Sequence, residues 1–320
     1  MGVFRKRYKN RRKLILHICL IVACMVLCTK QGKCENNEYS PESLRVGYAT
    51  KLLNDVVSEA DAMAALELWT REITKTTKLK MLTKPVLFGD LQSMVQAMKN
   101  RETDLIALTV MDYMKIRDKV PLEPALVGSK RETTYGDELV LIVRREQGIT
   151  DIGQLKGKRL VVHANLMLDD AYIWLSNVLT GKHLPDRDRF FASVREVKKA
   201  SQAVLPVFFR QADVCLVGKS FFNTMVELNP QLGNELTVLS SSDKLLYGML
   251  CFNKNLSSDI KAQIIKGALN MSTTPAGKQI LTLFQIDSIE AFKPGMLDTT
   301  VALLNKYNQH RVGTLARKRR

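Results

Sequence analysis

At 320 residues the chain is long enough for two α/β lobes and short for three domains. Its formal charge of +16 invites a polyanionic partner, but the surplus sits at the ends. Seven basic residues precede Cys24, leaving +9 beyond it, and four more are the last four residues, Arg317, Lys318, Arg319 and Arg320. The body between is mildly basic and has no basic stretch interleaved with aromatics, which excludes nucleic acid as a partner.

Arg5, Lys6, Arg7, Lys9, Arg11, Arg12 and Lys13 precede an apolar run, Leu14–Leu27, with no acid before Glu35. A basic segment before a short apolar core is the pattern of an export leader, assigned to residues 1–34. The run is short of the roughly 20 apolar residues a transmembrane helix needs, and an uncleaved anchor is the rival reading. Ile21-Val22-Ala23-Cys24 resembles a bacterial lipobox, which would lipidate Cys24 and tether the protein to a membrane; a cut after Cys28 would release it. Either way the expected location is the periplasm or the outer face of the cytoplasmic membrane.

Leu44–Tyr48 predicts a strand, followed by a loop and a helix whose Met63, Leu66, Trp69 and Ile73 recur at core spacing. Leu79–Leu82 and Val86–Phe88 are extended, and Asp90 caps a helix with Leu91, Met94, Val95 and Met98 on one face. Asp104–Leu108 is a buried strand, and Thr109 starts its loop. Glu138–Arg145 and Leu245–Asn253 are long apolar strands placed to cross between lobes. Between them lie Ile149–Tyr172, Val194–Ala203, and the strand Asp213–Val217 with Gly218-Lys219-Ser220 behind it. Ile260–Leu269, Thr274–Phe284 and Asp298–Tyr307 complete the helices, and residues 308–320 are expected to be a disordered basic tail. Strands alternating with helices predict parallel α/β sheet. The lobes are then 44–142 with 247–307, and 143–246, joined by two crossing strands with a ligand cleft between them.

Of the six cysteines, Cys215 and Cys251 fall in the body, each in an apolar run. Buried free thiols are expected, with a Cys215–Cys251 disulfide the alternative in an oxidising compartment. No cysteine or histidine spacing suits zinc, so neither metal nor cofactor is expected.

Ile149-Thr-Asp-Ile-Gly-Gln-Leu-Lys-Gly-Lys-Arg-Leu-Val-Val162 resembles the start of the second lobe in type II periplasmic solute-binding proteins. Leu44-Arg-Val-Gly-Tyr48, Gly89–Met98 before Thr103-Asp-Leu-Ile106, Gln211-Ala-Asp-Val214 and Thr274-Pro-Ala-Gly-Lys278 follow in the order found in phosphate-, phosphite- and phosphonate-binding components of ABC transporters. The resemblance covers nearly all of 44–307. It implies a non-catalytic monomer that closes on a small solute and hands it to an ABC permease or a membrane sensor.

Such proteins typically hold a phosphonate with a Ser-Thr-Ser-Gly turn at a helix N-terminus. Here the corresponding stretch is Asn165-Leu-Met-Leu-Asp-Asp170. Ionised carboxylates accept hydrogen bonds and do not donate them, and two charges about 4 Å apart repel by roughly 4 kcal/mol at an effective dielectric near 20. Asp169 and Asp170 therefore cap the helix, or face a cationic ligand beside Tyr172 and Trp174, or leave the anion to a site elsewhere. The candidate ligand-binding residues are Tyr48, Thr50, Thr109, His163, Asn165, Asp169, Asp170 and Lys219, with Lys219 the expected compensating cation. His163 ends a strand at the cleft edge, where a satisfied histidine is the plainer reading. A sensory or interaction protein that kept the fold and lost oxyanion binding is the alternative function. An enzyme is not expected, because there is no nucleophile elbow, phosphate-cradling loop or metal cluster.

Overall fold

A computed structural model describes residues 38–52, 59–76, 82–130, 135–165, 167–284 and 286–318; the expected leader and Cys24 lie outside them. The chain begins with β1 (Ser43–Ala49), α1 (Glu59–Thr76), β2 (Leu82–Phe88), α2 (Leu91–Lys99), β3 (Leu105–Thr109), α3 (Val110–Ile116) and β4 (Leu122–Ser129). It passes through β5 (Gly136–Asp137) into β6 (Leu139–Arg144), β7 (Arg159–His163), α4 (Leu168–Gly181), the single turn α5 (Arg187–Phe190) and β8 (Ser193–Val197). Then come α6 (Ala200–Phe208), β9 (Val214–Gly218), α7 (Lys219–Leu228), α8 (Pro230–Glu235) and β10 (Leu236–Ser241). It returns by β11 (Leu245–Leu246) into β12 (Gly248–Asn253), α9 (Ser258–Leu269), α10 (Pro275–Leu283), β13 (Ser288–Ala291) and α11 (Asp298–Lys318).

Two mixed sheets result, with strand orders β13-β4-β12-β3-β1-β2 and β10-β6-β9-β7-β8. Their central strands, β3, β6 and β9, are buried along their whole length, as unbroken apolar runs covered on both faces must be. In the first sheet β1 runs parallel to β2 and β3; in the second β7 runs parallel to β8 and β9. Parallel strands deliver their C-terminal ends to one edge, which is where ligands bind in open α/β sheets. Among the described residues Cys215 and Cys251 are free and buried, one on β9 and the other on β12, so the alternative of a disulfide between them fails.

The two sheets are joined by the paired short strands β5 and β11, in which Leu245 faces Asp137 and Leu246 faces Gly136. A Cβ on Gly136 would stand 2.2 Å from the Leu245 carbonyl oxygen, so only glycine allows this backbone approach. Next to it, buried Asp137 accepts hydrogen bonds from Ser220 Oγ (2.6 Å), Ser220 N (3.1 Å) and Glu138 N (2.9 Å). It caps α7 from outside, because the helix's own N-cap, Gly218, has no side chain to do so. Asp137→Ala is expected to cost about 2–3 kcal/mol by leaving these donors unmet, measured as a lower urea midpoint with unchanged slope.

Several boundaries differ from the sequence reading. Leu82 and Val86–Phe88 belong to one strand, β2, which tolerates Pro85 because it is at the sheet edge, while 79–81 lie outside the described residues. The segment after Thr109 is helix α3 rather than loop, with the Thr109 hydroxyl accepting from Asp112 N at 3.1 Å. Strands β4, β10 and β13 went unread: β4 is broken in pattern by Pro124 and Gly128, and β10 and β13 are half-exposed edges. The last helix runs to Lys318 rather than stopping at Tyr307 before a disordered tail. It lies against α4, where buried Asn177 donates from Nδ2 to the Leu303 carbonyl at 2.9 Å.

Candidate functional site

The strand ends at the cleft carry the predicted residues, but they serve different ends. Tyr48, next to last in β1, and Asn165, two residues past β7, line a cavity of about 180 Å³. The other six candidates are outside its described lining. Most of the wall comes from the first lobe, including Trp69, Phe284, Ile286 and Lys130; Asn165 and Phe221 come from the second. Tyr48 and Phe284 pack ring to ring at 5.7 Å, and burial pushes the Tyr48 hydroxyl pKa well up, so it stays a neutral donor. Lys130 Nζ lies 5.7 Å from the centre of the Phe221 ring and has no ion pair among the described residues.

Thr50 donates to the Phe88 carbonyl at 3.2 Å and Thr109 caps α3, so both hydroxyls are taken up in holding the cleft edge. His163 is buried; its Nε2 faces the Lys198 carbonyl at 3.2 Å, and its ring meets Phe221 edge-on at 5.0 Å. A carbonyl only accepts, so Nε2 carries a proton and the ring braces the aromatic wall. Asn165 Oδ1 accepts from Met167 N at 3.0 Å, closing the turn before α4. Its Nδ2 is 3.5 Å from His163 Nδ1, a long contact that leaves donor capacity for a ligand.

Asp169 and Asp170 occupy the first turn of α4 without capping it through their side chains. Asp169 is half-exposed and bridges the lobes: Lys115 Nζ of α3 donates to it at 2.8 Å. Burial acts to raise the Asp169 pKa, but the Lys115 hydrogen bond and the charges of Lys115 and Lys51 outweigh it and hold the carboxyl below its usual range. Asp112 draws both lysines together, with Lys51 at 3.6 Å and Lys115 at 3.5 Å. The cation beside Asp169 is therefore Lys115 of the first lobe. Lys219, the residue expected there, is held by both oxygens of Glu138 at 3.1 and 3.0 Å. With both partners near half-exposure, the interlobe bridge contributes at most about 1 kcal/mol.

Asp170 is 3 % exposed, and its Oδ1 has no hydrogen-bond partner. Burial, reinforced by the charges of Asp169 and Asp112, pushes its pKa up to about 7. The aromatic wall expected for a cationic ligand does not form. Trp174 is in the core of the second lobe, while Tyr172 donates to Glu196 and its ring carries Arg187 at 4.0 Å.

What the sequence reading missed is mostly the first lobe's contribution. Trp69 and Leu66 were assigned to the core by their helical spacing; they are there, and they also face the cavity. Lys130, Phe221 and Phe284 carried no local signal, since they meet only when the chain returns through the hinge.

The profile of one family, periplasmic substrate-binding proteins of ABC phosphonate transporters, matches residues 56–296, and the chain belongs to that family. It is thus a solute-binding component for ABC transport, exported, from a family whose role is binding rather than catalysis. No curated protein matches the sequence significantly.

Solved structures agree in fold. A Xanthomonas citri protein bound to ATP is 13% identical, with a TM-score of 0.62 over 85% of this chain and 98% of that one. The binding-protein component of an ABC phosphonate transporter from Pseudomonas aeruginosa is 15% identical, with a TM-score of 0.60 over 85% and 89%. A Prochlorococcus marinus protein in complex with methylphosphonate is 15% identical, with a TM-score of 0.55 over 84% and 99%. At these identities the likeness is one of fold, the two-lobed α/β arrangement with its hinge.

Proposed function

We propose that the solute is a small organic oxyanion, held in the cavity that Lys130 of the first lobe and Asn165 of the second both line. One observation carries this reading: the cavity is walled from both lobes and lined by Lys130, whose ammonium has no ion pair among the described residues. A ligand touching both lobes gains contacts on closure that it lacks when bound to one, and that difference drives closing. The family's phosphonate chemistry supports the same head group. The two aspartates need not oppose it, because Asp169 is already neutralised by Lys115, and Asp170 is largely protonated up to about pH 7. Neither lines the cavity, and a cationic solute would find no carboxylate among the described lining.

The remaining assignments are those of the sequence reading. The lobes are 44–142 with 247–307, and 143–246, and the leader delivers the protein to the periplasm or, with Cys24 lipidated, to the outer face of the cytoplasmic membrane. The protein acts as a monomer without cofactor, and an ABC permease receives the solute; delivery to a membrane sensor is the alternative. Thermal-shift measurement against phosphate, phosphite, methylphosphonate, methanesulfonate and trimethylammonium tests the head group. At least one anion is expected to raise the melting temperature, since a ligand of the native state stabilises it by mass action. Lys130→Met is expected to weaken that anion about tenfold to a hundredfold, the scale of a hydrogen bond to a charged group. A flat response to every anion would end the oxyanion reading.

A further inference from the structure

We propose that the solute's body is apolar and about the size of one ring: an aryl or branched-alkyl phosphonate, sulfonate or carboxylate, not a bare or amino-substituted phosphonate. The inference rests on the oxyanion reading above and adds what lies beyond the head group. The cavity's volume of about 180 Å³ exceeds the roughly 150 Å³ that admits benzene between apolar side chains. Its apolar lining includes Leu66 and Trp69 of α1 with Phe284, Ile286 and Ile289 from the returning chain. The polar side chains of the lining are fewer: Lys130, Asn165 and the two tyrosines, Tyr48 and Tyr247. The lining thus sets one charged side chain among mostly apolar ones.

A methyl group would leave most of that chamber without contacts, whereas a ring removes its own surface and the chamber's from water together. The tilted Tyr48–Phe284 pair offers an aromatic face and edge to such a ring. An aminoalkyl phosphonate needs a carboxylate for its ammonium. No aspartate or glutamate is among the described lining, and Asp169 of the second-lobe turn already holds Lys115. Burying an unpaired ammonium against apolar walls is costly, so the site discriminates against it.

Isothermal titration of the full chain with phenylphosphonate, methylphosphonate and 2-aminoethylphosphonate tests the inference, with Phe284→Ala and Ile289→Ala titrated alongside. Phenylphosphonate is expected to bind at least tenfold more tightly than either other ligand. At least one of the two variants is expected to shrink that ratio severalfold while changing methylphosphonate affinity little, which a general loss of structure would not do. Equal or tighter binding of methylphosphonate or 2-aminoethylphosphonate, or a ratio untouched in both variants, overturns the apolar-body inference and leaves the oxyanion reading standing. No binding of any of the three overturns the inference, and the oxyanion reading with it when phosphate, phosphite and methanesulfonate also leave the melting temperature unchanged.

Discussion

Asp104→Ala is expected to lower stability by about 3–5 kcal/mol, the loss typical when one member of a buried ion pair is removed. The carboxylate is fully buried at the start of β3 and bound on both oxygens. Oδ2 accepts from the Arg45 backbone N at 2.8 Å and from Arg45 Nε at 3.1 Å; Oδ1 accepts from Arg45 Nη2 and the Tyr39 hydroxyl, each at 2.8 Å. Its main chain also stitches three segments, with Asp104 N donating to the Arg45 carbonyl and the Asp104 carbonyl accepting from Asn253 N. Alanine keeps the main-chain bonds and strands the other donors around an apolar methyl. Arg45 retains some access to water, which places the expected loss toward the lower end. Urea unfolding reads it directly; a loss under 1 kcal/mol would mean that Arg45 and Tyr39 rehydrate freely in the variant.

Stability should also fall as pH rises from about 4 to about 7, and Asp170→Asn should abolish most of that slope. The Asp170 carboxyl is raised from 3.8 to about 7 by burial, with Asp169 and Asp112 adding to it and Lys115 and its own backbone N–H opposing. Well below pH 4 the group is protonated in both folded and unfolded chains and contributes no difference. Between 4 and 7 the unfolded chain has ionised while the folded one keeps its proton, so each unit of pH favours unfolding until the folded group titrates. A rise from 3.8 to about 7 corresponds to about 4 kcal/mol at 1.36 kcal/mol per pH unit, an upper bound to order of magnitude. Asparagine has no charge to bury, so the variant should be more stable than the parent at pH 8 and equal to it at pH 4. Parallel urea titrations at the two pH values check this; an unchanged slope in the variant would place the titrating group elsewhere.

Asp169 and Asp170 show how far local reading reached. Their place in the first turn of a helix was legible, because a β-branched strand, a short loop and an amphipathic run define that junction. Their opposite fates were not. Adjacent residues on a helix point about 100° apart, which sends one carboxylate to Lys115 across the cleft and the other into the interior. Lys219 illustrates the same limit, since analogy placed it near the ligand while Glu138, between β5 and β6, holds it.

The sequence by itself determined the alternation of strands and helices, the two crossings between lobes, and the family, because each is written in patterns a few residues to a few turns long. It also showed the departure from the hydroxyl-rich anion turn, at 165–170. Only the tertiary structure decided which cation meets Asp169, that Asp137 caps a helix beginning more than eighty residues later, and that Trp69, Lys130, Asn165 and Phe284 share one cavity. Those contacts join residues far apart in the chain, and their chemistry depends on distance and burial, quantities that exist only after the chain has folded back through its hinge.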